Sequence, residues 1–400
     1  MRVLLGAFGD AGHAFPMIAL ARGLRARGHE VTLQTAERWR ADVEAEGVRF
    51  AAAPEYHVFP TQERPLKPYE AVARATGETL ELVRSADPEV LVADILTLAP
   101  ALAGELAGVP VATLIPHVDP RPGAGFAPYS LGARLPRTAL GRAAWSAFDP
   151  LIDRGLQLGR RELDETRRRL GLPPSGRLHG GISDRLALVA TFPQLEYPRA
   201  APEPNTHVVG PLLWEPAFGE VELPPGDGPL VLVAPSTAQD ARHTLLRAAL
   251  AGLGDLPRVR VLATWNRRPL DPADGPWRVG ANTRLVEWVS YARTMPRCDV
   301  VVTHGGHGTL VRALASGSAV VVVPEGGDQN ENAARADWAG VGVRIPRRFV
   351  GPRSVRLAVE RALGDPEIRA SARGLADWMA VSDPAGRAAE LVETLGACRP

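Results

Sequence analysis

The apolar run Val300 to Val302 leads directly into Thr303-His304-Gly305-Gly306-His307-Gly308-Thr309. Read as a strand feeding a glycine-rich turn that opens a helix, this order builds an anion site. Glycines let the backbone approach a ligand, and the unpaired amides of the first helical turn, at the positive end of the dipole, point at phosphate. His304 and Thr309 add side-chain donors beside Gly306 and Gly308. After a second apolar run, Ala319 to Val323, comes Gly326-Gly327-Asp328-Gln329, whose carboxylate and amide suit neighbouring sugar hydroxyls. Phosphate and polyol are then read side by side.

A second chemistry sits near the N-terminus. His13 lies in Gly9-Asp10-Ala11-Gly12-His13-Ala14-Phe15-Pro16, between the first apolar run and the first helix. Its imidazole titrates near neutrality and can take a proton from a hydroxyl as that oxygen attacks. A purely structural hydrogen bond at a helix start is the competing reading. Asp94 ends the apolar run Val90 to Ala93 and so falls on the same sheet edge as His13. A carboxylate accepting from one ring nitrogen fixes the tautomer and stabilises the imidazolium. Asp94 capping the following helix is the plainer alternative, and Asp119 is a second candidate partner for His13.

Such residues need a scaffold that gathers distant stretches at one edge. Up to Ile115, short apolar runs alternate with amphipathic segments: Val3 to Leu5, a helix from about Ala14 to Arg27 closed by Gly28, Val31 to Thr35, Val48 to Ala51, Val90 to Ala93, a helix from about Leu98 to Ala107, and Val111 to Ile115. This cycle predicts an α/β fold with a parallel doubly wound sheet. From His117 to Gly181 the pattern loosens into an insertion with scattered aromatics and one long charged helix, about Leu151 to Leu170. Leu186 to Thr191 and His207 to Val209 complete a front domain, residues 1–212. A proline- and glycine-rich linker, 213–229, follows. The same architecture then repeats over residues 230–382, through Leu230 to Ala234, Val259 to Ala263, Thr283 to Val286, Asp299 to Val302, Ala319 to Val323 and Val343 to Ile345. The break at Asp383-Pro384 lets a last helix, within 383–400, cross back to the front domain. Two such domains facing each other put both sets of strand C-terminal ends into one crevice, where open α/β sheets bind ligands.

Composition narrows the class. The chain has 400 residues, 45% of them hydrophobic, enough for two domain cores, and its 46 basic and 45 acidic residues leave no bias toward nucleic acid or a membrane surface. Cys298 and Cys398 have no metal-ligand spacing and are read as packing residues, with no metal site expected. No stretch reaches the roughly 20 apolar residues of a membrane span, and the first strand turns too early at Gly6 for a signal peptide. A cytoplasmic enzyme of small molecules, monomer or homodimer, is expected.

Together, Gly12-His13, the stretch Trp288 to Gln329 and the twin α/β halves make the whole chain resemble family 1 glycosyltransferases of the GT-B fold, closest to bacterial enzymes that decorate natural products. The resemblance implies transfer of a hexose from a nucleotide diphosphate sugar (UDP or dTDP), with inversion and without metal or other cofactor, to a hydroxyl of a small apolar acceptor. The chain contains no Asp-x-Asp pair, consistent with phosphate neutralised by helix dipole and side chains. By position, His13 matches the general base and Asp94 its partner. Trp288 matches the residue that stacks on the nucleobase, with the Val289 backbone reading the base edge. His304, Gly306, Gly308 and Thr309 match the pyrophosphate site, Ser236 and Thr237 would also approach phosphate, and Asp328 and Gln329 match the pair that bonds the donor hexose.

Two positions depart from the family pattern. Arg312 stands where a glutamate usually accepts from both ribose hydroxyls, which favours a donor built on 2-deoxyribose, with one hydroxyl fewer to satisfy. Solvent or a phosphate are the other destinations for its guanidinium. Tyr291 replaces a common glutamine. Acceptor recognition is expected from Tyr56, His57 and Phe59 in a loop after the third strand and from Phe126, Tyr129, Trp145 and Phe148, since aromatic loops suit a flat or apolar aglycone such as a polyketide or phenol. A sugar-nucleotide epimerase of GT-B type and a silent auxiliary partner of another transferase are the competing functions. The epimerase needs carboxylates at the sugar, where only Glu325 and Asp328 are on offer. The silent partner is disfavoured by the presence of His13 and the glycine-rich turn. A nicotinamide oxidoreductase fits less well still, because no Gly-x-Gly opens the first turn and no acid ends the second strand.

Overall fold

The computed structural model describes residues 1–54, 68–177, 179–201, 203–236, 240, 242–270 and 277–397. Seven parallel strands form the front sheet: β1 (Arg2–Gly6), β2 (Glu30–Thr35), β3 (Arg49–Ala52), β4 (Val90–Asp94), β5 (Val111–Ile115), β6 (Ala187–Val189) and β7 (Thr206–Val208). Their spatial order is β3-β2-β1-β4-β5-β6-β7. The rear sheet, with order β10-β9-β8-β11-β12-β13, contains β8 (Leu230–Ala234), β9 (Arg260–Thr264), β10 (Thr283–Val286), β11 (Val300–Thr303), β12 (Ala319–Val322) and β13 (Gly342–Arg344). Strands covered by helices on both faces read as continuous apolar runs. Accordingly, every residue of β4, β5, β8, β11 and β12 is buried.

Both sheets reverse direction of growth at one place, between β1 and β4 in front and between β8 and β11 behind. At these switch points the loops leaving neighbouring strands diverge to opposite faces and open a crevice. The residues expected to do chemistry follow or end these strands: His13 after β1, Asp94 on β4, Ser236 after β8, and the glycine run after β11.

Around the front sheet lie α1 (Ala11–Ala26), α2 (Arg40–Ala45), α3 (Pro68–Ala86), α4 (Leu98–Leu106), α5 (Ala139–Ser146) and α6 (Asp149–Arg169). The rear sheet carries α7 (Thr244–Leu253), α8 (Tyr291–Thr294), α9 (His307–Ala315), α10 (Asp328–Trp338), α11 (Pro352–Gly364) and α12 (Pro366–Val381). Two departures from the sequence pattern stand out. α1 begins at Ala11, so His13 sits inside the first helical turn. α3 has no counterpart in the pattern because hydroxyls occupy core positions along it: Thr76 Oγ1 donates to the Val72 carbonyl at 2.8 Å and Thr79 Oγ1 to Gln34 at 3.3 Å.

The last helix, α13 (Pro384–Ala397), lies on the front domain. Its Ala388, Ala389, Val392 and Leu395 share a core with Ile18, Leu20 and Leu24. Burying Val392 and Leu395 is worth roughly 1.5–3 kcal/mol each. Gly23 makes the approach possible, since a Cβ there would stand 2.8 Å from the Ala385 carbonyl oxygen. The linker is anchored as well: the Trp214 ring meets Phe15 edge-on at 5.0 Å and its Nε1 donates to Glu46 at 2.7 Å. Among the described residues no helix is long and apolar enough to cross a membrane, and no cluster of His, Cys, Asp or Glu is arranged to hold a metal ion. Cys298 is a buried free thiol, while Cys398 lies outside the described residues.

Candidate active site

His13 and Asp94 are in contact, with Nδ1 2.6 Å from Oδ2, the imidazole mostly and the carboxylate fully buried. Gly9 sets the loop before the helix: its carbonyl accepts from Trp39 Nε1 at 2.7 Å, and a Cβ there would meet Ala36 at 2.6 Å. Asp94 also accepts from the Leu96 amide at 2.7 Å through Oδ1. Asp94 does not cap the following helix, whose N-cap is Thr97; one oxygen orders the turn before that helix and the other contacts the histidine. Asp119 is engaged elsewhere, by Arg121 at 2.7 Å and Arg199 at 3.6 Å. With Nδ1–H donated to Asp94, the lone pair of His13 resides on Nε2. Burial draws the proton affinity of His13 down, but the charge and hydrogen bond of Asp94, helped by Asp10 and Asp328, outweigh it and hold the pKa above the ordinary 6.5.

That Asp328 acts on His13 places front and rear halves around one gap. Asp328 opens α10, and its charge also reaches His117, Tyr129 and His304. Beside it, Gln329 is buried and accepts from the Glu325 amide at 3.0 Å. The halves touch directly as well. Arg335 of α10, 1% exposed, donates to Glu196 at 2.9 Å and to the Leu195 carbonyl at 3.0 Å, and pairs with Glu331 at 2.9 Å. His307 meets the Ala190 carbonyl at 3.4 Å.

The glycine run forms the strand, turn and helix start that its order implies. Gly306 precedes α9, and the first helical bond runs from the Leu310 amide to the Gly306 carbonyl at 3.0 Å, so the amides of His307, Gly308 and Thr309 face out of the helix end. Gly305 has φ +88, and a Cβ there would stand 2.6 Å from Val322; at Gly306 it would stand 2.5 Å from His304 Nε2. Nothing crowds Gly308. His304 is more subtle than a simple donor. Burial lowers its pKa below the ordinary 6.5, and it donates a ring proton to the Ala234 carbonyl, so its second nitrogen carries a lone pair and no proton. Ser236 is buried beside β8, and Thr237 lies outside the described residues.

Trp288 stands in a small aromatic cluster, stacked at 15° on Tyr291 and tilted against Phe218, with the Arg267 guanidinium 5.2 Å from its ring centre. Its Nε1 is buried without a partner. Val289 is buried. Tyr291 hydrogen bonds Asn266 at 3.3 Å. Arg312 faces neither solvent nor the glycine turn before α9: it donates to the Trp214 carbonyl at 2.7 Å and approaches Glu215 at 3.8 Å. Glu215 in turn accepts from the Ser290 hydroxyl and from the Ala292 amide at 3.0 Å. A carboxylate from the linker thus arrives where the sequence offered only a cation, a long-range relation with no local signal.

Of the expected acceptor residues, Tyr56, His57 and Phe59 lie outside the described residues. Phe126 is buried against Tyr197 at 5.4 Å, under Arg199, in a packing role. Trp145 and Phe148 pair with each other at 5.5 Å between α5 and α6. Only Tyr129 joins the central group, through a residue that the sequence reading passed over: His117, whose ring lies 6.4 Å from His13 and 6.2 Å from Tyr129. The end-of-strand rule that singled out Asp94 applies to it equally, since it lies just beyond β5.

Residues 3–113 match the glycosyltransferase family 28 N-terminal domain, and residues 272–397 the C-terminal domain of erythromycin biosynthesis protein CIII-like proteins. The 4'-demethylrebeccamycin synthase of Lentzea aerocolonigenes is 29% identical over 427 residues, covering 98% of this chain and 99% of that protein. The solved glycotransferase of kitacinnamycin superposes with a TM-score of 0.77 over 98% of both chains at 23% identity. A spinosyn rhamnosyltransferase complexed with thymidine diphosphate superposes at 0.68, over 99% of this chain and 100% of that one, at 23% identity. The twin parallel sheets, the crevice between their switch points and these matches agree: the chain has the GT-B fold and is a hexosyltransferase that draws on a nucleotide sugar, similar to glycosyltransferases of the antibiotic type.

Proposed function

We propose that the protein transfers a hexose with inversion, without a metal or further cofactor, from a nucleotide diphosphate sugar to a hydroxyl of a small apolar acceptor of the polyketide or phenol type. The observation that carries this reading is the His13–Asp94 pair within reach of the Asp328 charge at the start of α10. The acceptor oxygen forms a bond to the anomeric carbon while the bond from that carbon to the β-phosphate oxygen breaks. Its proton passes to His13 Nε2, and the diphosphate leaves with the bonding pair. Charge gathers on the departing phosphate, where the α9 amides are already oriented, so they favour the transition state over the ground state.

Thymidine is the favoured base partner in this reading. No carboxylate projects from position 312, the Glu215 carboxylate is already shared among Ser290, Ala292 and Arg312, and a solved relative holds thymidine diphosphate. Incubation with matched uridine and thymidine diphosphate hexoses and a panel of phenols and polyketides, read by mass spectrometry, is expected to give a hexose-sized addition, faster from thymidine. The anomeric proton coupling of the product should show inversion. A strong uridine preference overturns the base assignment, and retention of configuration overturns the single displacement.

The pH profile tests the dyad. His13 must be neutral to accept a proton, so kcat/KM rises with pH and levels off above a pKa higher than 6.5. In Asp94→Asn the two largest attractions that raise this pKa vanish, while burial and the weaker pulls of Asp10 and Asp328 remain, so the acid limb moves to lower pH. The plateau falls about 10²–10⁴-fold as the imidazole loses its tautomer and orientation. An unmoved limb would separate Asp94 from the base.

A further inference from the structure

We propose that His117 is a further sugar-binding residue, accepting through Nε2 a hydrogen bond from a hydroxyl of the transferred hexose. The inference rests on the functional reading above and adds a contact on the front wall of the sugar site.

β5 is the neighbour of β4, so the chain leaving β5 emerges beside Asp94 and His13. The His117 and His13 rings meet at 81° with centres 6.4 Å apart. His117 Nδ1 lies 2.7 Å from the Val118 carbonyl oxygen, which only accepts. The ring proton is therefore on Nδ1, and Nε2 carries a lone pair. Burial and the adjacent His13 both keep a second proton off this ring. Nε2 bonds to none of the described residues and is not among the buried atoms lacking a partner. It is therefore reached by solvent on a ring that lies against His13, free to accept from a hydroxyl.

The rear domain fixes where that hydroxyl belongs. The loop after β5 is tied to α10 and its neighbour: Asn330 donates to the Ser130 carbonyl at 3.3 Å, Arg344 donates to the Gly132 carbonyl, and Arg134 pairs with Asp337 at 3.2 Å. Tyr129 in this loop places its hydroxyl 3.4 Å from His117 Nδ1. The histidine is thereby registered against the helix that begins with Asp328, whose charge it feels. A group held in register with the donor helix reads the donor sugar.

Calorimetry on the full chain separates the sugar from the nucleotide. Thymidine diphosphate glucose, its monodeoxy analogues and thymidine diphosphate itself are titrated into the unsubstituted protein, His117→Leu and His117→Gln. In His117→Leu, affinity for the sugar nucleotide is expected to fall about tenfold, the worth of one hydrogen bond, while free thymidine diphosphate binds as before. One monodeoxy analogue should bind His117→Leu no worse than the complete sugar does, and His117→Gln, which keeps an acceptor oxygen, should recover part of the loss. Unchanged sugar-nucleotide affinity overturns the proposal, as does an equal loss for thymidine diphosphate alone or for every analogue. If His117→Leu does not fold, the analogue series on the unsubstituted protein and His117→Gln decides in the same way. Failure of the unsubstituted protein to bind any of these nucleotides would instead count against the functional reading.

Discussion

Replacing His13 with alanine is expected to lower kcat for transfer to an aliphatic alcohol by about 10²–10⁴-fold, leaving the affinity for thymidine diphosphate unchanged. The argument is local. His13 Nε2 carries the lone pair, because the other ring nitrogen is held by the buried Asp94 carboxylate at 2.6 Å. In the proposed function the diphosphate is bound by the start of α9 and not by His13, so its affinity should not depend on position 13. The loss should shrink with acidity of the acceptor, because a phenol already ionised at the assay pH has no proton to surrender. A His13→Ala protein that glycosylated an alcohol at full rate would remove the imidazole from the mechanism. Equal loss for alcohol and ionised phenol would make it a binding group.

The largest effect on stability should come from Arg335→Ala. Arg335 is 1% exposed and satisfies Glu331 and Glu196, each at 2.9 Å, while its guanidinium lies over Tyr197 at 4.2 Å. Removing it strands two buried carboxylates, and breaking such a network by deleting one partner costs about 3–5 kcal/mol. Burial already raises Glu196 above its usual 4.5 despite the arginine. Without the arginine a raised carboxyl binds its proton more tightly in the folded state than in the unfolded one, so the variant gains stability as pH falls toward that raised pKa. Denaturant midpoints at pH 8 and pH 5.5 should therefore show the larger deficit at pH 8. Equal deficits at both would mean that the two carboxylates find water or another cation. Because Glu196 belongs to the front domain and Arg335 to the rear, turnover should suffer as well.

The strands were legible because helices cover both faces, so that β8, β11 and β12 become unbroken apolar runs. Asp94 and the glycine run were legible for a related reason: residues at strand ends of a doubly wound sheet gather at its switch point, and strand ends can be found by eye. α3 was hidden because Thr76 and Thr79 break its apolar stripe while satisfying their hydroxyls internally. Arg312 and Glu215 are far apart in sequence and meet only because the linker folds against α9. Phe126 and Trp145 show the limit of composition as a guide. An aromatic in a loop is as often a plug as a wall, and only packing distinguishes them.

The seating of α13 beneath the front sheet has a practical consequence for anyone recombining such enzymes. A hybrid joined once, at the linker, would graft a foreign terminal segment against Leu20 and Leu24. Mismatched side chains there would loosen the helix that presents the imidazole. A two-junction exchange, which returns residues 384–397 to the half they cover, keeps that foundation native while the nucleotide-binding half is replaced.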